Sequence, residues 1–514
     1  MTKKKQYEAA YAGYVYEKPA THWTSTEAVK KCLTKVDLTD VKALKAGGMP
    51  IISDGQNVYI DDGDGHTVLI ACSGMKKSIC GFMPLIRMLA AAKENMVITD
   101  PKGELFNREA GFLKDLGYNV RCLDFRTMDK DCFNVLQYAA SVYRSGDKER
   151  GLSLLSDLIN SLAEEQRHCA KDPFWPETGS FWLNGTGATM LDAYPKIEQV
   201  NILNWSDFNV RNSAAIVEEH LLSLMPDNTV KSALKQCLSS AENTFRSILI
   251  TASSFLAMFN QNPKLAAMLS YSTFSLEDLI IPKTALFLVT DDTTSTADPI
   301  LGMIISQIQS FLVDKAYHNR NGKLDVRMNF VLDEFASIPI PNMDKSLATH
   351  RSRNIRYYLC VQSLALLKEL EAKLGTTCIT PDGKERPLCS QAELMTLERT
   401  WDHKEAIYMN LAEGIRYCTM LPSIEAYETG NHPIPSFSAE PPAIATYTVA
   451  QFAADVVNKR IRAPFAPVQK KRTVSRGKRN KRPRSFSEEA SSDPDLEEEL
   501  MQKFDELFGT CEED

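Results

Sequence analysis

Lys77 and Ser78 are the residues of this chain whose types and spacing best suit them to hold a phosphate. They follow Thr67-Val68-Leu69-Ile70-Ala71-Cys72-Ser73-Gly74-Met75-Lys76, which reads as a strand, a short loop and a helix start. In such a layout backbone N–H groups and a helix N-terminus converge on an anion. The lysine then reaches the β/γ-phosphates and the Ser/Thr hydroxyl holds Mg²⁺. The G-x-x-x-x-G-K-[ST] pattern is incomplete, because Ala71 stands at the first glycine and Lys76 at the second. Gly74 keeps one permissive position. Alanine at 71 is a mild change where φ is negative. Lys76 brings a favourable charge but also a Cβ that crowds the phosphates. Ser73, Gly74, Met75, Lys76, Lys77 and Ser78 are the candidate phosphate-binding residues. The same stretch also reads as an ordinary strand–turn–helix with a basic helix start.

The complementary acids lie far downstream. Met328-Asn329-Phe330-Val331-Leu332 is a short apolar run rich in strand formers, and it ends in Asp333-Glu334-Phe335. An apolar strand ending in Asp-Glu is the Walker B pattern. Asp333 would hold Mg²⁺ and Glu334 would polarise an attacking water. Two solvated acids closing a strand is the bland alternative. The combination with the phosphate-type loop favours a nucleotide-binding α/β core.

The elements between these motifs fit such a core. A helix is expected over 77–93, a strand over Asn95–Thr99 ending in Asp100-Pro101-Lys102-Gly103-Glu104-Leu105, and a helix over 105–116. A strand over Asn119–Leu123 ends in Asp124. This β-α-β-α-β order implies a parallel sheet with its acidic and Gly-rich loops at the carboxyl ends of the strands. From 147 to 270 helical patterns dominate, at 149–163, 214–224, 230–238 and 243–259, and read as an all-α domain. The sheet returns at Ala285–Thr290, followed by a long helix over 299–317, the Asp333-Glu334 strand, and a strand over Arg356–Val361 ending in Gln362-Ser363. A last pair of strands is expected at 405–410 and 416–421. The expected division is a polar N-terminal region 1–60 with a small helix near 25–33, nucleotide-binding parts 61–146 and 271–463 flanking the all-α domain 147–270, and a tail 464–514.

Composition bounds the remaining choices. The 514 residues are 44% hydrophobic and 24% charged, enough for two domains or a core with a large insertion. A net charge of −7 argues against a generic polyanion binder. Twelve cysteines without a C-x-x-C pair read as reduced residues of a cytoplasmic protein. The start Met1-Thr2-Lys3-Lys4-Lys5 lacks the apolar stretch of a signal peptide. No run reaches the ~18 apolar residues of a spanning helix. The tail carries a basic block, Lys470, Lys471, Arg472, Arg476, Lys478, Arg479, Lys481, Arg482 and Arg484, then twelve acids and one lysine over 488–514. Such blocks are usually disordered interaction tails. Leu496, Leu500, Phe504, Leu507 and Phe508 fall at helical spacing, which gives two readings: a short partner-docking helix, or an acidic tail folding back on the basic block. The basic block lacks aromatic residues that would stack bases, so it would bind phosphates non-specifically or anionic lipid headgroups.

These residues resemble the type IV secretion coupling proteins, the TraG-like ATPases of conjugative DNA transfer. Thr99-Asp100-Pro101-Lys102-Gly103-Glu104-Leu105 is similar to that family's signature after its second core strand, with Asp100, Lys102 and Glu104 as its polar members. The approach Asp64–Ile70, the stretch Leu332–Ala336, the segment Ala348–Arg353 and the pair Gln362-Ser363 also resemble family landmarks; Phe133–Leu136 and Asp172–Trp175 do so more weakly. The resemblance spans roughly residues 20–450.

The resemblance implies an α/β, RecA-like P-loop NTPase core with a mainly parallel sheet and an inserted all-α domain. It implies ATP and Mg²⁺ as cofactors and a homo-hexameric ring peripheral to the cytoplasmic face of the membrane. Single-stranded DNA, its relaxase and secretion-channel proteins would be the partners. Carried over by residue, Lys77 and Ser78 bind phosphate and Mg²⁺, Asp333 and Glu334 act on Mg²⁺ and water, and Gln362 senses the γ-phosphate. Arg351 or Arg353 is the trans-acting arginine, or else a basic helix end. The altered glycines put turnover in question and allow a second reading, a catalytically impaired docking scaffold. A nucleotide-dependent regulator unrelated to DNA is a third. The lack of spanning helices calls for a membrane-anchoring partner or a cytosolic role. Persistence of Lys77, Ser78, Asp333, Glu334 and Gln362 favours the motor.

Overall fold

The computed structural model describes residues 21–38, 44–71, 77–210, 229–291, 297–361, 366–379, 385–397, 403–410, 412–427, 430–437 and 444–458. Six strands build the central sheet: β4 (Thr67–Ile70), β5 (Asn95–Asp100), β6 (Asn119–Asp124), β7 (Thr284–Val289), β8 (Met328–Leu332) and β9 (Ile355–Val361). They lie in the order β4-β9-β8-β5-β7-β6, and every pairing is parallel. β5, β7 and β8 are buried along their whole length, as a parallel sheet covered on both faces requires. Period-two alternation sorts their side chains. Val97, Leu286, Leu288, Phe330 and Leu332 enter the core on one face. Met96, Ile98, Ala285, Phe287 and Val331 enter the core on the other.

The second face is covered by α2 (Met83–Ala91) and α3 (Glu104–Asp115), with α2 entered through a π-type turn, Ser78–Phe82. Ahead of them come α1 (Thr26–Cys32) and an antiparallel sheet of β1 (Thr34–Asp37), β2 (Met49–Ser53) and β3 (Asn57–Asp61), ordered β1-β3-β2. Only the small helix of this region is foreseen by the sequence. The buried guanidinium of Arg356, on β9, anchors it by donating to the carbonyls of Gly47 (3.0 Å), Gly65 (3.2 Å) and Asp61 (3.4 Å).

Between β6 and β7 the described chain is helical: α4 (Gln137–Ser145), α5 (Lys148–Cys169), α6 (Phe174–Ala193), α7 (Ile202–Val210), α8 (Thr229–Leu238), α9 (Glu242–Phe255), α10 (Ala257–Gln261) and α11 (Pro263–Met268). Their core of Trp182, Trp205, Phe208 and Phe255 is continuous with the first face of the sheet. α6 is absent from the sequence expectations because Gly179, Gly185 and Gly187 obscure it. These glycines pack: a Cβ on Gly185 would stand 2.3 Å from Leu234. The expected helix over 214–224 and the charged tail lie outside the described residues.

α12 (Asp298–His318) and α13 (Met343–His350) follow β7 and β8, then α14 (Leu366–Leu374). The last strands form separate antiparallel hairpins, β10 (Thr376–Ile379) with β11 (Glu385–Pro387) and β12 (His403–Asn410) with β13 (Ile415–Pro422). Between the hairpins lies α15 (Gln391–Met395). α16 (Val449–Val457) packs Phe452 against Phe208 of α7. Among the described residues no helix is long and apolar enough to cross a membrane.

Candidate functional site

Parallel pairing gathers the carboxyl ends of the six strands on one edge, where α/β sheets bind their ligands. Asp100 ends β5, Asp124 ends β6, and Asp333-Glu334 follow β8. Lys77 stands at the start of the π-type turn that leads into α2. Its Nζ lies 2.9 Å from Asp333 Oδ1 and 3.8 Å from Glu334 Oε1. The side chains of Lys77 and Asp333 are about one-tenth exposed, so water screens this contact little. Burial acts to lower the lysine's pKa, but the hydrogen bond and attraction from Asp333, with Glu334 adding, hold it raised.

The backbone around Asp333 is held from several directions. Thr99 Oγ1, on neighbouring β5, donates to the Asp333 carbonyl at 3.0 Å. The Glu334 N–H donates to Asp333 Oδ1 at 2.9 Å. Glu334 takes φ 53° and ψ 37°, a left-handed conformation that costs a side-chain-bearing residue about 1–2 kcal/mol. Ser337 stabilises the turn, donating from N–H (3.0 Å) and Oγ (2.8 Å) to the Glu334 carbonyl.

The signature residues have distinct roles. Asp100 is buried, and its Oδ2 accepts the Phe106 N–H at 2.7 Å, capping the first turn of α3. Burial raises its pKa to about 6, against the hydrogen bond from Phe106 and with the Asp333 charge adding. Gly103 takes φ +73°, which lets the loop reverse into the helix. Lys102 and Glu104 are exposed. Glu104 opens α3, where a negative charge suits the helix dipole.

Ala71 extends the pairing of β4 with β9, its N–H donating to the Val361 carbonyl at 3.3 Å, and its φ is not in the left-handed range. The methyl group is therefore accommodated at that first-glycine position. Ser78 opens the π-type turn. Ser73, Gly74, Met75, Lys76, Gln362 and the nine basic tail residues lie outside the described residues.

Arg351 and Arg353 are not part of the Lys77–Asp333–Glu334 cluster. They form a short 3-10 turn just before β9, at the amino-end edge of the sheet. The seven residues of β9 put roughly 20 Å between that edge and the opposite one. Nearby, His66 bridges elements, with Nε2 at 2.9 Å from the Leu347 carbonyl of α13 and Nδ1 accepting the Tyr357 N–H at 3.2 Å.

Three residues near the acids escape the sequence reading. Thr99 lies inside the signature but reads there only as strand. Asp298, at the start of α12, has its pKa raised by burial and then by Glu334. The Cys360 thiol, on β9, is pushed up to about 12 by burial with Asp333 adding. Only their shared edge, a tertiary fact, joins them to the site.

The fold has relatives of known structure. The plasmid coupling protein TrwB in complex with ADP and Mg²⁺ matches with a TM-score of 0.50 at 13% identity, covering 84% of this chain and 98% of that one. The unbound monoclinic form of the bacterial conjugative coupling protein TrwBdeltaN70 gives 0.48 at 13% identity over the same shares. VirB4 of Thermoanaerobacter pseudethanolicus gives 0.34 at 15% identity, over 62% of this chain and 78% of that one. No curated protein matches the chain. At such identities the first likeness speaks for the fold. The family description "Type IV secretory system Conjugative DNA transfer" matches residues 18–400, most of the chain. With that match, the parallel core and the inserted helices, the chain belongs to the type IV secretory system conjugative DNA transfer family, the coupling proteins of conjugation.

Proposed function

We propose that this coupling protein binds ATP with Mg²⁺ at Lys77, Ser78 and Asp333, and that Glu334 activates water for hydrolysis. The observation that carries the reading is the convergence of Lys77 on Asp333 and Glu334 at 2.9 and 3.8 Å, at the carboxyl-end edge of a parallel sheet. Among the described residues no three His, Cys, Asp or Glu side chains form a metal cage. Mg²⁺ at nucleotide sites is held by one or two side chains together with phosphates and water, and Asp333 with Ser78 meets that need. Hydrolysis would drive transfer of single-stranded DNA with its relaxase to the secretion channel. In a homo-hexameric ring held at the membrane by a partner, Arg351 or Arg353 would serve the neighbouring subunit's site, which accords with their distance from their own. Segments 61–146 and 271–463 would carry the nucleotide chemistry, and 147–270 would form the helical domain.

The test is ATP hydrolysis by the purified protein, with and without single-stranded DNA, beside Lys77→Ala and Glu334→Gln. DNA-stimulated turnover lost by about 10²-fold or more in both variants supports the motor. Folded protein with no turnover in any form, and partner binding intact after Lys77→Ala, supports the docking scaffold instead.

A further inference from the structure

We infer that Lys77 and a divalent cation are alternative partners of Asp333, so that the cation and the nucleotide bind as a coupled pair. The inference rests on the ATP reading above. Asp333 Oδ1 already has two partners, the Glu334 N–H, which donates to it at 2.9 Å, and the Lys77 ammonium, paired with it by charge at 2.9 Å. The surroundings are acidic. Glu334 Oε1 lies 3.8 Å from the same ammonium. Lys77 therefore balances two carboxylates, of which Asp333 is about nine-tenths buried and Glu334 about three-tenths exposed. When its ammonium turns toward a phosphate it gives up part of that balance, and a buried carboxylate without a partner is costly. The cost disappears when a second cation takes the lysine's place at Asp333.

Lys77 thus acts as a gate on metal-free polyphosphate as well as a phosphate ligand. A site in which Asp333 only ligates metal would bind metal-free nucleotide equally well with or without that carboxylate. A site in which Asp333 sequesters Lys77 would bind it better without. Simple relief of repulsion would also help the ligand, but that gain does not depend on Lys77. The two causes separate in a double-mutant cycle.

The experiment measures binding of a fluorescent ATP analogue to wild type, Asp333→Asn, Lys77→Met and the double variant, in EDTA and in excess Mg²⁺. Thermal unfolding certifies that each is folded, and Glu334→Gln serves as the milder variant if Asp333→Asn is not. We expect Asp333→Asn to tighten metal-free binding on the order of tenfold and to shrink the gain from Mg²⁺. In the Lys77→Met background the same change should alter metal-free binding by less than about twofold. No tightening in Asp333→Asn, or equal tightening in both backgrounds, overturns the exchange while leaving the ATP reading intact. Binding by none of the proteins, with or without Mg²⁺, overturns the ATP reading and the exchange with it.

Discussion

Thr99 and Asp333 are joined side chain to backbone across adjacent strands: the threonine hydroxyl donates to the aspartate carbonyl at 3.0 Å. This bond fixes where β8 ends and therefore where Asp333 and Glu334 begin. Thr99→Val keeps the β-branched shape and leaves the buried carbonyl one donor short. A cost of about 1–3 kcal/mol is expected in denaturant unfolding, with a larger relative loss of ATP turnover than of nucleotide affinity. Unchanged stability and unchanged turnover would remove the bond from any account of the site.

Glu334 holds a left-handed backbone. Glycine adopts that conformation freely and alanine does not. Glu334→Gly should therefore be more stable than Glu334→Ala by about 1 kcal/mol, with turnover lost in both. Equal melting curves for the two variants would show that the turn relaxes without strain.

Asp100 carries a pH signature. Its folded pKa, about 6, is above the ordinary 3.8, so the native state holds its proton more tightly than the unfolded chain does. The associated stability is fully present below about pH 4 and is lost as pH rises through 6. Asp100→Asn retains an acceptor for the Phe106 N–H and has no charge to bury. It should gain up to about 3 kcal/mol over wild type at pH 7, the gain vanishing near pH 4. Parallel stability–pH curves for the two proteins would contradict the burial account.

Gly302, on α12, lies under the loop that follows Glu334. A Cβ there would stand 2.1 Å from the carbonyl oxygen of Pro339, so that backbone must move. Gly302→Ala is expected to cost about 1–3 kcal/mol and to depress turnover by displacing the loop between Glu334 and α13. Normal melting with normal turnover would show the loop to be compliant.

Much of the core was legible because its physics is local. The strands ending in Asp100, Asp124 and Asp333 are short apolar runs closed by polar turns, and the Asp-Pro-Lys-Gly-Glu sequence states its own turn through Gly103. The pairing of Lys77 with Asp333 could be anticipated from two motifs, although the contact depends on β9 lying between β4 and β8. What stayed hidden depends on tertiary context. β1, β2 and β3 are four or five residues long, and the carbonyls of Gly47, Asp61 and Gly65 beside β2 and β3 are bound by Arg356, which the sequence places only in a strand. The glycines of α6 read as breakers, whereas Leu234 and Leu155 need the space they leave. Arg351 and Arg353 follow Glu334 by fewer than twenty residues, yet α13 carries the chain to the opposite edge of the sheet.

The strand order also has a consequence for biogenesis. β5, near the middle of the sheet, has β7 and β8 as its two neighbours, and both are encoded after residue 283. During synthesis β5 therefore emerges without a hydrogen-bonding partner and must wait while the whole helical segment between β6 and β7 is made. Pairings of such long sequence separation close slowly, and unpaired apolar strands invite aggregation in the interval. The helices of that segment contact their own neighbours in sequence and can condense first, giving the nascent chain a folded body against which the late strands close the sheet.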